Sequence, residues 1–109
     1  MINYGKQSIN QDDIDAVIEV LESDFLTQGP KVEEFENDLR SYCGSKHARV
    51  VTNATSALHL AYVAIGLKKD DIVWTSPNTF VSTANAALYC GAKVEFVDID
   101  PKTYNCLLY

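Results

Sequence analysis

A chain of 109 residues, 47% apolar and 22% charged, has the make-up of one modest globular domain, and nothing in it reads as collagen, low complexity or disorder. Its net charge of −6 argues against a nucleic-acid or acidic-membrane partner, since both call for clustered Lys and Arg and no basic stripe is present. The amino terminus Met1–Lys6 lacks an apolar core of signal-peptide length, and no apolar run is long enough to span a bilayer, so a cytoplasmic protein is expected.

The elements follow in order. Asn10 with Asp13 fits a capping-box variant, and Ile14, Val17, Ile18 and Leu21 recur at helical spacing, which predicts a first helix from about Gln11 to Ser23. A loop, Asp24–Pro30, carries Phe25 and Leu26 as exposed-looking apolar residues. Pro30 then opens a second helix whose Val32, Phe35, Leu39 and Tyr42 share a face until Gly44 stops it. Residues 1–46 thus read as an amino-terminal arm with two helices.

Residues 47–109 change pattern. Ala48–Thr52 reads as a strand, Thr55–Ile65 as a helix ended by Gly66, and Ile72–Thr75 as a second strand. Thr79–Cys90 reads as a helix ended by Gly91, and Lys93–Val97 as a third strand. Brief continuous apolar strands alternating with helices predict an α/β fold with a parallel sheet and right-handed crossovers. Three strands with these helices alone would be poorly covered, so the β-α-β-α-β segment is expected to be the start of a larger domain.

In such sheets ligands bind beyond the carboxyl ends of the strands, where Asn53–Ser56, Ser76–Phe80 and Asp98–Asp100 would converge. The first of these segments opens a helix. First-turn amides lack intrahelical acceptors and carry the positive end of the helix dipole, so they can hold a phosphate without a lysine, and the Thr55 and Ser56 hydroxyls add donors. The competing reading is that Asn53 or Thr55 merely caps the helix. Phe80 stands where a flat ligand could stack, against the alternative that it fills core.

Other residues invite blander readings. His59, among Leu58, Leu60 and Ala61, reads as a packing residue, His47 precedes the first strand, and Trp74 most simply fills core. Two histidines so far apart make no metal site. Cys43, Cys90 and Cys106 are odd in number with no C-x-x-C pair, so reduced thiols are expected rather than disulfides or structural zinc. Asn53-Ala54-Thr55 matches a glycosylation acceptor by accident on this reading.

Three blocks in succession carry a resemblance: Asn53–Ala61, Thr79–Ala86 and Gly91–Pro101. Together with Thr27–Val32 they resemble the fold-type I, pyridoxal-phosphate-dependent sugar aminotransferases of the DegT/StrS family, and the likeness covers nearly the whole chain. The resemblance implies the amino-terminal part of the large, mainly parallel-sheet cofactor domain. It implies a cofactor-phosphate loop at Ala54, Thr55 and Ser56, although many relatives have glycine where this chain has Ala54. Phe80 falls at the position that covers the pyridoxal ring. Tyr4, Lys6 and Thr27 fall in segments that approach the nucleotide sugar in the family, often from a neighbouring subunit, with ordinary surface residues as the alternative. The Asn-Ala-Thr-Ser-Ala-Leu form is similar to the UDP-4-amino-4,6-dideoxy-N-acetyl-altrosamine transaminase branch, which aminates UDP-linked 4-keto-6-deoxy-N-acetylhexosamines.

Family chemistry also requires a lysine that forms the Schiff base and an acid on the pyridine nitrogen. No lysine of this chain falls at the family's position, and Asp98 and Asp100 match residues that close a strand and begin a turn. Catalytic residues are therefore expected downstream of Tyr109, none within the chain, and the segment alone should be inactive. The full-length protein is expected to be a homodimer that moves an amino group, from glutamate in the family's usual manner, onto a nucleotide-linked keto-deoxy sugar for surface polysaccharide or glycan synthesis. The alternatives are a non-catalytic α/β module that binds a phosphate or nucleotide, and a purely structural domain in which Asn53 and Thr79 serve as caps.

Overall fold

A computed structural model describes residues 5–107, which form two compact units divided between Val50 and Val51. The expectation for Tyr4 lies outside the described residues.

The first unit holds α1 (Gln11–Glu22) and α2 (Pro30–Cys43). The capping box closes α1 as the sequence predicts: the Asp13 amide donates to Asn10 Oδ1 at 3.0 Å, and the Asn10 amide donates back to Asp13 Oδ2 at 2.9 Å. Pro30 occupies the first turn of α2, where its missing N–H costs no helix bond. Gly44, at φ 64°, ends the helix in the left-handed region that glycine adopts without a Cβ penalty. Lys31 reaches Glu34 at 3.1 Å and Glu19 of α1 at 3.5 Å, but all three side chains are about half exposed or more, so the pair tethers the helices only weakly. The apolar stripe of α1 (Ile14, Val17, Ile18 and Leu21) stays exposed, and neither helix buries a residue.

The second unit runs α3 (Ala54–Ala64), β1 (Ile72–Thr75), α4 (Ser82–Tyr89), β2 (Lys93–Phe96). The strands pair in parallel, with Ile72 opposite Lys93 and Thr75 opposite Phe96, joined through α4 as a crossover. The Val97 amide extends the ladder by one bond to the Thr75 carbonyl, at 3.0 Å. α4 packs against α3 and both strands. The core is built from small residues, Ser82, Ala84, Ala86, Ala87 and Ala92, which let helix and sheet approach closely.

Three expectations are corrected. Ala48–Thr52 forms no strand, and the sheet has two strands rather than three among the described residues. A strand persists only where its amides find a ladder, and the Val50 amide instead donates to the Glu36 carboxylate at 3.0 Å. The helix expected from Thr79 begins at Ser82, and Thr79 is not its cap: Val81 takes that position. Pro77 disfavours helical geometry at Ser76, and the Ser76 hydroxyl accepts the Asn78 amide at 3.1 Å, a local bond that competes with helix initiation. Trp74 does not fill core. It is 62% exposed, because burial alternates along β1 and places Ile72 and Trp74 on the open positions, and its indole Nε1 donates to Glu95 Oε2 at 2.8 Å.

Candidate anion-binding turn

The entry to α3 is built by Asn53. Its backbone is extended (φ −166°, ψ 168°), and its carboxamide oxygen accepts the Ser56 amide at 2.9 Å, so Asn53 is the cap that one sequence reading foresees. Capping and anion binding are compatible here. The cap satisfies Ser56, while the Ala54 and Thr55 amides precede any carbonyl of the helix and keep the first-turn donor role. Ala54 is exposed, and Thr55 and Ser56 are half-buried, so this end of the helix is open to a ligand. The first turn holds no acidic side chain, and an anion there meets only the positive end of the dipole of an 11-residue helix. The Ser56 hydroxyl lies 3.4 Å from the Thr52 hydroxyl, a long contact that leaves both groups able to turn.

Phe80 belongs to the same unit, in the turn after β1 and ahead of α4. It is 73% exposed and lies outside the small-residue core of its unit. Its carbonyl accepts the Thr83 amide at 3.0 Å, and the Thr79 and Thr83 hydroxyls meet at 3.1 Å, so the backbone around the ring is fixed while the ring is free. Because β1 and β2 are parallel, Ser76–Phe80 and Val97–Asp100 leave the sheet at the same carboxyl end. Asp100 is occupied there as a turn builder. Its carboxylate accepts the Thr103 amide at 2.9 Å and the Lys102 amide at 2.7 Å, which holds its pKa below the ordinary aspartate range. His59 is a packing residue as expected, half-buried with its ring edge-on to Tyr89 at 5.5 Å.

Lys6 and Thr27 are exposed residues of the first unit, and no hydrogen bond or ion pair engages either side chain among the described residues. Beside Thr27, Gln28 adopts φ 53°, an uncommon conformation for a residue other than glycine. A cavity of about 220 Å³ in this unit is lined by Phe25, Leu26, Gln28 and Lys31 among others, and takes in neither Lys6 nor Thr27. Glu36 is a residue that sequence reading missed. Its side chain is 13% exposed and binds Arg49 and Val50, thirteen and fourteen positions away, a separation that carries no periodic signal.

Residues 7–108 match the DegT/DnrJ/EryC1/StrS aminotransferase family. A UDP-4-amino-4,6-dideoxy-N-acetyl-beta-L-altrosamine transaminase of Campylobacter jejuni is 59% identical over 99 residues, 91% of this chain and 26% of that protein. The spore coat polysaccharide biosynthesis protein SpsC of Bacillus subtilis is 45% identical over 102 residues, 94% of this chain and 26% of its own length. The PLP form of a Streptococcus pneumoniae protein described as a sugar aminotransferase superposes with a TM-score of 0.90 at 27% identity, over 96% of this chain and 27% of that one. The chain therefore spans about a quarter of the length of the curated relatives it matches.

Proposed function

This chain belongs to the DegT/DnrJ/EryC1/StrS aminotransferase family, and from that premise we propose that the protein carrying it transfers an amino group, from glutamate, to a UDP-linked keto-deoxy sugar for polysaccharide or glycan synthesis. The 59% identity to an altrosamine transaminase supports a UDP-linked 4-keto-6-deoxy-N-acetylhexosamine as acceptor, and the Bacillus relative supports a role in surface polysaccharide. The whole enzyme acts as a homodimer in the cytoplasm. No helix among the described residues is long and apolar enough to cross a membrane.

The observation that carries this reading is the α3 entry. Pyridoxal 5'-phosphate ends in a phosphate monoester, and the donor set fits that group: two first-turn amides, the Thr55 and Ser56 hydroxyls, and no carboxylate in the turn. Ala54 and Thr55 would hold the phosphate through their amides and the Thr55 Oγ, and the helix dipole favours its negative charge. The exposed Phe80 ring would cover one face of the pyridine ring and exclude water from it. When bound, the cofactor supplies the electron sink that carries the amino group between donor and acceptor. Lys6, Thr27 and Tyr4 are proposed to contact the nucleotide sugar.

Two measurements test the reading. The full-length protein, given glutamate and the UDP-linked keto sugar, is expected to release 2-oxoglutarate and the aminated sugar nucleotide. Thr55→Ala is expected to weaken cofactor retention about tenfold, the loss of one hydrogen bond to a charged group. Unchanged retention in that variant would remove Thr55 from the site.

A further inference from the structure

Glu36 sits inside α2 with its carboxylate largely covered. Oε1 accepts the Val50 amide at 3.0 Å, and Oε2 pairs with the Arg49 guanidinium, so one side chain holds two consecutive residues of a segment that has no ladder partner among the described residues. The carboxylate supplies the acceptor that a neighbouring strand otherwise provides, and a half-buried amide left without one carries a desolvation cost. Only Val51 and Thr52 separate Val50 from the Asn53 cap. The peptide that Glu36 fixes is therefore the covalent lead-in to the anion-binding turn.

We propose that Glu36 is a positioning residue for the Ala54–Ser56 turn: by fixing residues 49 and 50 it restricts the conformations open to the lead-in, and so strengthens anion binding by the Ala54 and Thr55 amides. This rests on the reading of that turn as a phosphate site. Preorganisation of this kind acts by lowering the ordering cost of binding, and it requires no contact between Glu36 and the ligand.

Inorganic phosphate is the probe, followed through the backbone amide shifts of Ala54 and Thr55, with hydrogen exchange at Val50 read on the same samples. In the unsubstituted protein Val50 is protected and phosphate shifts both turn amides. Glu36→Ala is expected to speed Val50 exchange about tenfold and to weaken phosphate binding several-fold. The Ser45 amide, bonded to the Arg40 carbonyl at the end of α2, keeps its protection and shows the helix intact. Glu36→Gln retains an oxygen for Val50 and is expected to restore both readouts, which a loss of charge alone would not do. Should Glu36→Ala fail to fold, Glu36→Gln decides: loss of Val50 protection in that variant, with Ser45 still protected, overturns the assignment. Phosphate binding that is equal in Glu36→Ala and the unsubstituted protein overturns the positioning role and leaves the turn's reading standing. Turn amides that do not respond to phosphate in the unsubstituted protein remove the reading of the turn, and the proposal with it.

Discussion

The carboxamide oxygen of Asn53 accepts the Ser56 amide at 2.9 Å, and this one bond fixes where α3 begins. The turn that caps the helix is also the one proposed to receive an anion, and substitution at Asn53 separates the two roles. Asn53→Ala is expected to destabilise the fold by about 1 kcal/mol through loss of the cap, read as a lower midpoint in urea unfolding. Asn53→Asp keeps a capping oxygen and leaves stability nearly unchanged, but it sets a negative charge beside the turn, so cofactor retention falls in low-salt buffer and partly recovers as salt screens the repulsion. Retention unaffected by Asn53→Asp would place the phosphate elsewhere.

Phe80 offers the converse separation. With the ring 73% exposed, Phe80→Ala is expected to change unfolding free energy by no more than about 0.5 kcal/mol, within the range of surface substitutions. Cofactor affinity in the full-length protein falls severalfold in the same variant. A large loss of stability with normal affinity in the folded fraction would return Phe80 to a packing role.

Ala86 and Ala87 are fully buried on α4, where the helix lies close to its neighbours. Ala86→Leu is expected to cost about 1–3 kcal/mol by overpacking, measured by urea or thermal unfolding. Ala61→Leu, at an exposed position of α3, serves as the control with little effect.

The Glu36 anchor has a pH dependence whose sign follows from its surroundings. The Val50 amide, and secondarily the Arg49 and Arg40 guanidiniums, favour the charged carboxylate and hold its pKa below the ordinary glutamate value, while partial burial opposes them. Glu33 and His47 line the adjacent cavity with these groups. A depressed folded-state pKa contributes stability that is present above the ordinary glutamate value and is lost as pH falls through the folded one. Val50 amide protection is therefore expected to hold through neutral pH and to weaken only in part on acidification below the usual glutamate range, because the protonated carboxyl loses its charge but keeps a carbonyl oxygen for the amide. In Glu36→Gln that acid step disappears. The exchange comparison is made at matched intrinsic rates, and an acid step that persists in Glu36→Gln would assign it to another group.

Much of the local architecture was legible in the residues. Asn10 and Asp13 announced the α1 capping box, Gly44 the end of α2, and the apolar runs at 72 and 93 the two strands, because each signal lies within a few residues of the feature it encodes. Asn53 was legible too, as the cap of α3. The late start of α4 has a local cause around Pro77, whereas the other failures involve distance. Ala48–Thr52 has the composition of a strand, but its Val50 donor is taken by a carboxylate fourteen positions upstream. Trp74 has the size and apolarity of a core residue, but its register opposite Glu95 gives its indole N–H an exposed partner.

By itself, then, the sequence determined the caps of α1 and α3, the stop of α2, the two paired strands and the family, since caps, periodicity and motif spacing act over one or two turns of chain. Tertiary structure alone decided which amides are satisfied by remote side chains, which face of β1 stays open, and that Phe80 stands free of the core. Those outcomes depend on which distant groups meet, and no short-range pattern along a chain records such meetings.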